Sequence, residues 1–574
     1  MKKNGLKKLK GNKNYKSIVI GKVKVLKPDS IIVPSYSIED TEKEVKKLLK
    51  AIKKVKDEVQ ELQNKINPVK ERDAYAIFDF YKLYLEDDYN IKEAIEEIKV
   101  KKLNAAYIIE ERRKKNLKFF DSLEDPKMRS RKDDIDFLSK KVLSYLLKNN
   151  DNSGIFDENR IIFAKNVSPL DLIMYDASGI KAVVTQEGTF TSHTAIVANT
   201  LNISYMMGIE DCLNKVKDGQ TVIIDGFSGE IIIDPDFEIL REYEEKKKKQ
   251  EKILFELEKQ AVKKSFTKDG KHIKIMLNID VIDAPEKIYK YNIEGIGLAR
   301  SEFMFHDKQK VPSYEEQFIM YKELLLKNKG VEVTVRTFDF SEDKTPNTLK
   351  IYSQHNPSMG LRGIRFSFYK DIFKNQLKAL INASLFGNLK ILFPMISSYE
   401  EFFKIKETEK EILEELNMTK RYKLGIMLET ISSVYLVDDL YKELDFISLG
   451  TNDLMQYFFA VDRSNGFVKD LSSPFSPSFL RFLNETVTKI KKYGLELSIC
   501  GKIASVPEVT PVLIGLGINI LSVSPLSIPI IKETVSKISL KESKELTSAL
   551  IKNKTAGENE KLVNDFLKKN NIMF

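Results

Sequence analysis

The chain has four histidines in 574 residues, and one of them stands where it could do chemistry. His193 lies in Thr191-Ser192-His193-Thr194-Ala195-Ile196, between an apolar strand (Ala182-Val183-Val184-Thr185) and a short apolar helix. A neutral imidazole is a good nucleophile near pH 7, and the free N–H groups at a helix start stabilise an anion. Together they suit a histidine that is transiently phosphorylated. Taken alone, a capping or surface histidine is the commoner use of such a turn.

A second set of reactive types recurs in the C-terminal half, each member following a short apolar run. Arg300, Arg336, Arg362 or Arg365, and Arg463 supply guanidiniums, whose planar fork binds phosphate or carboxylate at two points. A small, multiply charged anion is the matching ligand. Glu429 and Asp453 offer hard oxygens, and Mg²⁺ takes one or two carboxylates plus substrate phosphate oxygens. Cations and a metal around an anion make the setting of phosphoryl transfer, where positioning and charge neutralisation do most of the catalysis. Singly, each arginine more often serves a surface ion pair; their shared placement after strands is what favours a site.

The elements that must carry these groups can be read from periodicity. Apolar runs Ile273–Ile279, Gly295–Ala299, Val331–Arg336, Leu389–Pro394, Leu424–Glu429, Phe446–Leu449, Leu497–Cys500 and Asn519–Val523 alternate with helical stretches, as in a (β/α)₈ barrel. Such barrels place their chemistry at the C-terminal strand ends, where Arg300, Arg336, Asp339, Glu429, Asn452-Asp453 and Cys500 fall.

Upstream, Val45, Leu48, Ile52, Val55, Val59, Leu62 and Ile66 recur every three or four residues, a long amphipathic helix ended by Asn67-Pro68. Helical patterns continue over 75–85, 91–98, 104–120 and 135–147, so residues 40–150 are expected to form a small bundle. The cluster Asn149 to Gly154 marks its exit. Runs Arg160–Ala164, Lys181–Thr185 and Thr221–Asp225 then predict a compact α/β subdomain over 151–235 that holds His193. Residues 236–264 are charged and helical, a linker, and the barrel domain occupies 265–574. The fold class is therefore α/β multidomain, with residues 1–39 as an N-terminal arm and the start of the histidine domain.

Composition agrees. Hydrophobic residues at 42% and charged residues at 31% describe a soluble globular protein too long for one core. The net charge of +10 comes from 94 Lys+Arg against 84 Asp+Glu, a mixed surface, so nucleic acid is not an expected partner. Seven lysines among the first sixteen residues suggest a solvated arm, and no apolar segment follows them as in a secretory signal. The uncharged run Val509–Ile531 is broken by Pro511, Pro525 and Pro529, which argues against a membrane span. Two cysteines, Cys212 and Cys500, build neither a disulfide framework nor a zinc site, consistent with a reducing cytoplasm.

The segments Thr191–Ala198, Gly295–Phe303, Arg336-Thr337-Phe338-Asp339, Gly425–Thr430 and Leu449–Tyr457 with Ala460–Arg463 resemble the enzyme I family of the bacterial phosphoenolpyruvate-dependent sugar phosphotransferase system. The resemblance covers nearly the whole chain in the same domain order; related dikinases and synthases carry an additional ATP-binding domain for which there is no room. It implies phosphoenolpyruvate bound by Arg300, Arg336, Asn452, Asp453 and Arg463, and Mg²⁺ held by Glu429 and Asp453. It implies His193 as phosphoryl carrier, Cys500 as proton donor to the enolpyruvate carbon, the helical bundle as docking domain for the carrier HPr, the linker helix as hinge, and a cytoplasmic homodimer joined through the barrel. The chain departs from the family pattern at Glu187-Gly188-Thr189-Phe190, Asn199, Ser341-Glu342-Asp343-Lys344, Lys502 and Asn14-Tyr15-Lys16-Ser17. A non-catalytic paralogue that senses phosphoenolpyruvate or docks partners is the alternative; the joint survival of His193, Arg300, Arg336, Glu429, Asp453, Arg463 and Cys500 argues against it.

Overall fold

A computed structural model describes residues 7–11, 17–26, 33–65, 72–122, 126–147, 160–168, 171–173, 175, 179–187, 194, 197–198, 201, 203–280, 290–305, 311–340, 356–369, 372–463, 465, 468 and 471–572. The chain divides into two compact units, Met1–Lys252 and Ile253–Phe574. No helix among the described residues is long and apolar enough to cross a membrane.

In the first unit, helices α1 (Thr41–Lys65), α2 (Arg72–Leu85), α3 (Asp88–Lys101), α4 (Ala105–Asp121) and α5 (Pro126–Leu147) occupy the stretch expected to be a bundle. Their ends follow local chemistry. Asp87 caps α3 by accepting from the N–H groups of Tyr89 and Asn90, and Lys102 closes it in the left-handed region at φ 51°. The apolar stripes (Leu48, Val55 and Val59 of α1, Phe78 and Tyr81 of α2, Leu138 of α5) form one core with Ile162, Ala164 and Val183 from a sheet. Ile161, Phe163, Ala182 and Val184 point to the opposite face and join a second core, as the two-residue period of strands requires.

That sheet has seven strands: β1 (Lys7–Lys10), β2 (Ile18–Leu26), β3 (Arg160–Ala164), β4 (Ala182–Thr185), β5 (Ser204–Met206), β6 (Thr221–Asp225) and β7 (Glu230–Ile233), in the order β1-β7-β6-β2-β3-β4-β5. The lysine-rich arm is thus not wholly solvated. Lys7–Lys10 adds an antiparallel edge strand to β7, with Leu9 buried and Lys8 paired to Glu230 at 3.0 Å. An edge strand studded with lysine tolerates solvent and resists pairing with other chains, which is why a basic run can also be a strand.

Helix α6 (Phe237–Ala261) spans most of the stretch expected to be a linker. The second unit is a closed parallel barrel: β8 (Lys274–Asp280), β9 (Gly295–Arg300), β10 (Glu332–Arg336), β11 (Asn388–Phe393), β12 (Lys423–Leu428), β13 (Phe446–Leu449), β14 (Glu496–Ile499) and β15 (Ile520–Val523), with β15 paired to β8 and β8 to β9. Strands covered on both faces need apolar side chains almost throughout, hence runs such as Ile426-Met427-Leu428. Ile426, Leu428, Ile447 and Leu449 belong to the large core beneath the helices, whereas Leu298, Leu392, Met427, Phe446 and Cys500 form a separate small cluster, the packed lumen.

Candidate active site at the barrel mouth

The alternation of the strands decides which residues reach the lumen. Stepping two positions onward from Leu298 leads to Arg300, from Thr334 to Arg336, from Met427 to Glu429 and from Ser498 to Cys500. Each is the last lumen-facing position of its strand or the first beyond it. Arg300 and Arg336 are register partners on β9 and β10. Asn452 and Asp453 come from the first turn of the helix Thr451–Phe459, which begins directly after β13 and Gly450.

These groups converge on one cavity of about 700 Å³, lined by Arg300, Arg336, Glu429, Asn452, Asp453, Arg463 and Cys500 among others. The structure therefore brings together every site residue expected in the C-terminal half. His193 lies outside the described residues, as do residues 188–190, Asn199, 341–344 and 14–16. Near it, Thr194 is described: its hydroxyl donates to the Val167 carbonyl at 3.2 Å, and Val197 and Ala198 are buried.

The charged groups of the mouth form an alternating chain. Buried Arg336 holds Glu302 and Asp339, the latter at 3.0 Å. Arg362 grips Asp339 with two parallel bonds, Nε to Oδ1 at 3.0 Å and Nη2 to Oδ2 at 2.7 Å, and reaches Asp453 Oδ1 with Nη1 at 3.0 Å. Arg463 Nη1 approaches the same Asp453 oxygen at 3.6 Å. Burial disfavours the charge on Arg336 and Arg362, but the attraction of Glu302, Asp339 and Asp453 outweighs it and holds both guanidiniums above their ordinary range. Of the two arginines left open by the sequence, Arg362 is the one in the mouth; Arg365 turns to Glu401 at 3.1 Å and Ser397 at 2.7 Å. The counter-ion roles of Asp339 and Glu302 were not foreseen, although the spacing of Arg336 and Asp339 was the available signal.

Glu429 is the group least at ease. Its Oε1 accepts the Met395 N–H at 2.8 Å, yet burial and the neighbouring Asp453 and Asp339 push its carboxyl well above the ordinary range. Room for it depends on Gly450, where a Cβ would stand 2.9 Å from Glu429 Oε2 and 2.8 Å from the Met427 side chain. A divalent cation between Glu429 and Asp453 would relieve that repulsion. Among the described residues no group of three or more His, Cys, Asp or Glu is arranged to hold a metal. Two carboxylates are a donor set for a divalent ion that takes its remaining coordination from substrate oxygens and water.

Cys500 is buried, its thiol pushed up to about 11 by burial, and its sulfur accepts a hydrogen bond from Ser448 Oγ at 3.1 Å. It is a thiol rather than a thiolate at neutral pH, fit to give a proton and ill-suited to act as a nucleophile. Asn278 Nδ2 holds the Cys500 carbonyl at 3.2 Å.

Comparison with known proteins gives the same direction over the whole chain. Residues 255–540 match the PEP-utilising enzyme, PEP-binding domain; residues 10–131 match the PEP-utilising enzyme, N-terminal; and residues 156–229 match the PEP-utilising enzyme, mobile domain. A phosphoenolpyruvate-protein phosphotransferase of Staphylococcus carnosus is 33% identical over 98% of this chain and 99% of its own length. That of Bacillus subtilis is 32% identical over 96% and 98%. With every domain matched in order and the mouth residues assembled, the chain belongs to the phosphoenolpyruvate-protein phosphotransferase family.

Proposed function

We propose that this protein transfers the phosphoryl group of phosphoenolpyruvate, through a phosphohistidine at His193, to the small carrier protein HPr, the first step of sugar uptake by the phosphotransferase system. The observation that carries the reading is the cavity in which Arg300, Arg336, Asn452, Asp453 and Arg463 surround space for a small polyanion, beside a protonated Cys500.

In this reading the arginines fix the substrate's phosphate and carboxylate, and Arg362 keeps Asp339 and Asp453 in place behind them. Glu429 and Asp453 would hold Mg²⁺, which would supply charge neutralisation for the phosphoryl oxygens. A ring nitrogen of His193 attacks phosphorus; the N–P bond forms as the P–O bond to the enol oxygen breaks. The released enolate takes the Cys500 proton at its methylene carbon and leaves as pyruvate. The phosphoryl group then passes to a histidine of HPr docked on the helical bundle. The cytoplasm is the expected location, and the active form is a homodimer joined through the barrel.

The test is to incubate the purified protein with Mg²⁺ and phosphoenolpyruvate carrying labelled phosphate. The expected product is an acid-labile, base-stable label on the chain, absent in His193→Ala and transferred when HPr is added. An unlabelled, folded wild type would overturn the reading. Cys500→Ala is expected to retain phosphoenolpyruvate binding while pyruvate release falls by about 10²-fold or more, the usual scale of a lost general acid.

A further inference from the structure

The cavity contains a basic side chain that the alternating ion chain does not use. Lys502 opens the short turn Lys502–Ser505, directly after Cys500 and Gly501, and lines the mouth. Its backbone is fixed from two sides. The Lys502 N–H donates to Asn452 Oδ1 at 2.8 Å. Gly501 presses so closely on the helix Thr451–Phe459 that a Cβ there would fall 1.7 Å from Thr451 Oγ1. The turn is therefore locked to the helix that presents Asn452 and Asp453.

The side chain is in a different condition. It is exposed to the cavity and forms no ion pair or side-chain hydrogen bond among the described residues. Arg336, Arg362 and Arg463, by contrast, each already face one or more carboxylates, and Asp339 and Asp453 are each shared by two of them. An anion entering the mouth thus meets three guanidiniums already shared with carboxylates and an ammonium that no carboxylate pairs among the described residues. A lysine is a compact charge on a flexible stem with three donors, able to follow a ligand that a rigid fork cannot.

We propose that Lys502 is a substrate-binding residue that donates to an anionic oxygen of phosphoenolpyruvate and sets much of the affinity for it. The proposal rests on the functional reading above and goes beyond it by adding a cation to the substrate shell. Because the contact is electrostatic and at the cavity rim, it acts on binding more than on the chemical step: removing it raises KM and leaves kcat less changed.

Calorimetric titration of the full chain with phosphoenolpyruvate and Mg²⁺, every variant and its Lys502 reference carrying His193→Ala so that no phosphoryl group is transferred, tests this. Variants Lys502→Arg, Lys502→Gln and Lys502→Glu, each checked for folding by thermal melt, are titrated beside the reference. Loss of a charge-assisted hydrogen bond at a partly exposed site predicts binding weakened about tenfold in the Gln variant and further in the Glu variant, with Lys502→Arg within about twofold of the reference. The gap should narrow as salt is raised, since screening removes rim electrostatics first. Repeating the titration with oxalate and with inorganic phosphate distinguishes the carboxylate end from the phosphoryl end as the group contacted. Reference affinity in both the Gln and Glu variants, or equal loss in Lys502→Arg and Lys502→Glu, would overturn the proposal alone. A reference that binds no phosphoenolpyruvate would overturn the functional reading, and this inference with it.

Discussion

The two ends of the barrel lumen are both charged, and they handle charge in opposite ways. At the bottom, where strands begin, Glu332 is met by Lys423 at 2.9 Å, Lys274 at 3.4 Å and Lys390 at 3.7 Å, and Lys390 also pairs with Glu496. Burial would raise the Glu332 carboxyl, but the three lysines outweigh it and bring it to about 2. The buried Lys390 ammonium also sits 4.6 Å from the centroid of the Phe446 ring. At the mouth, Arg336 Nε and Glu302 Oε2 are buried without a hydrogen-bond partner among the described residues, and Glu429 is forced toward its protonated form. A network that satisfies its members stabilises the fold, whereas one left strained is prepared for something to bind. The contrast follows the rule that barrel bottoms serve stability and barrel tops serve chemistry.

Substitutions at each end test that division. The largest effect is expected from Arg362→Met, which leaves Asp339 and Asp453 without their shared guanidinium. Phosphoryl transfer should fall by about 10³-fold or more, and unfolding free energy by about 3–5 kcal/mol, the scale of breaking a buried pair. Single-turnover labelling and urea melts measure the two; activity within tenfold of wild type would dissolve the distinction between the ends. Arg362→Lys should not rescue the rate, because a point charge cannot span two carboxylates.

Acid should probe the bottom. With the folded-state carboxyl of Glu332 near 2 and an ordinary value of 4.5, its contribution is complete above pH 4.5 and is lost as pH falls from there toward 2. The loss is roughly 3 kcal/mol. Glu332→Gln should therefore flatten the acid limb of a plot of urea midpoint against pH; an unchanged limb would count against the network. Lys390→Met is expected to cost about 2 kcal/mol, since Glu332 keeps two other lysines, while kcat and KM stay within about twofold of wild type. The smallest effect belongs to Arg365→Ala, a part-exposed pair with Glu401 at 3.1 Å, for which about 0.5 kcal/mol and unchanged kinetics are expected.

Much of the barrel was legible because a parallel strand buried on both faces must read as an apolar run. Phe446–Leu449 was expected and found at those residues, and the other seven expected runs lie within a residue or two of β8–β12, β14 and β15. Short or charged strands were not legible. Lys7–Lys10 is mostly lysine, Ser204–Met206 is only three residues long, and each exists because a distant neighbour supplies its hydrogen bonds. Of the mouth, residue types and their place after strands could be read. The choice between Arg362 and Arg365 could not, because it depends on Gly363, whose φ of +57° and close approach to Met395 set the direction of the chain there.

The sequence by itself determined the run of barrel strands, the long helices of residues 40–150 and the residue types that a phosphoryl-transfer site needs, since each of these is written in local period and composition. Only the tertiary structure decided which charges share a partner. Asp339 stands between Arg336 and Arg362, and Asp453 between Arg362 and Arg463, because barrel closure brings the ends of β10 and β13 and their following loops to one mouth. The same closure raised Glu429, left Cys500 protonated and set Lys502 beside Asn452. Those are consequences of burial and distance, which no stretch of sequence contains.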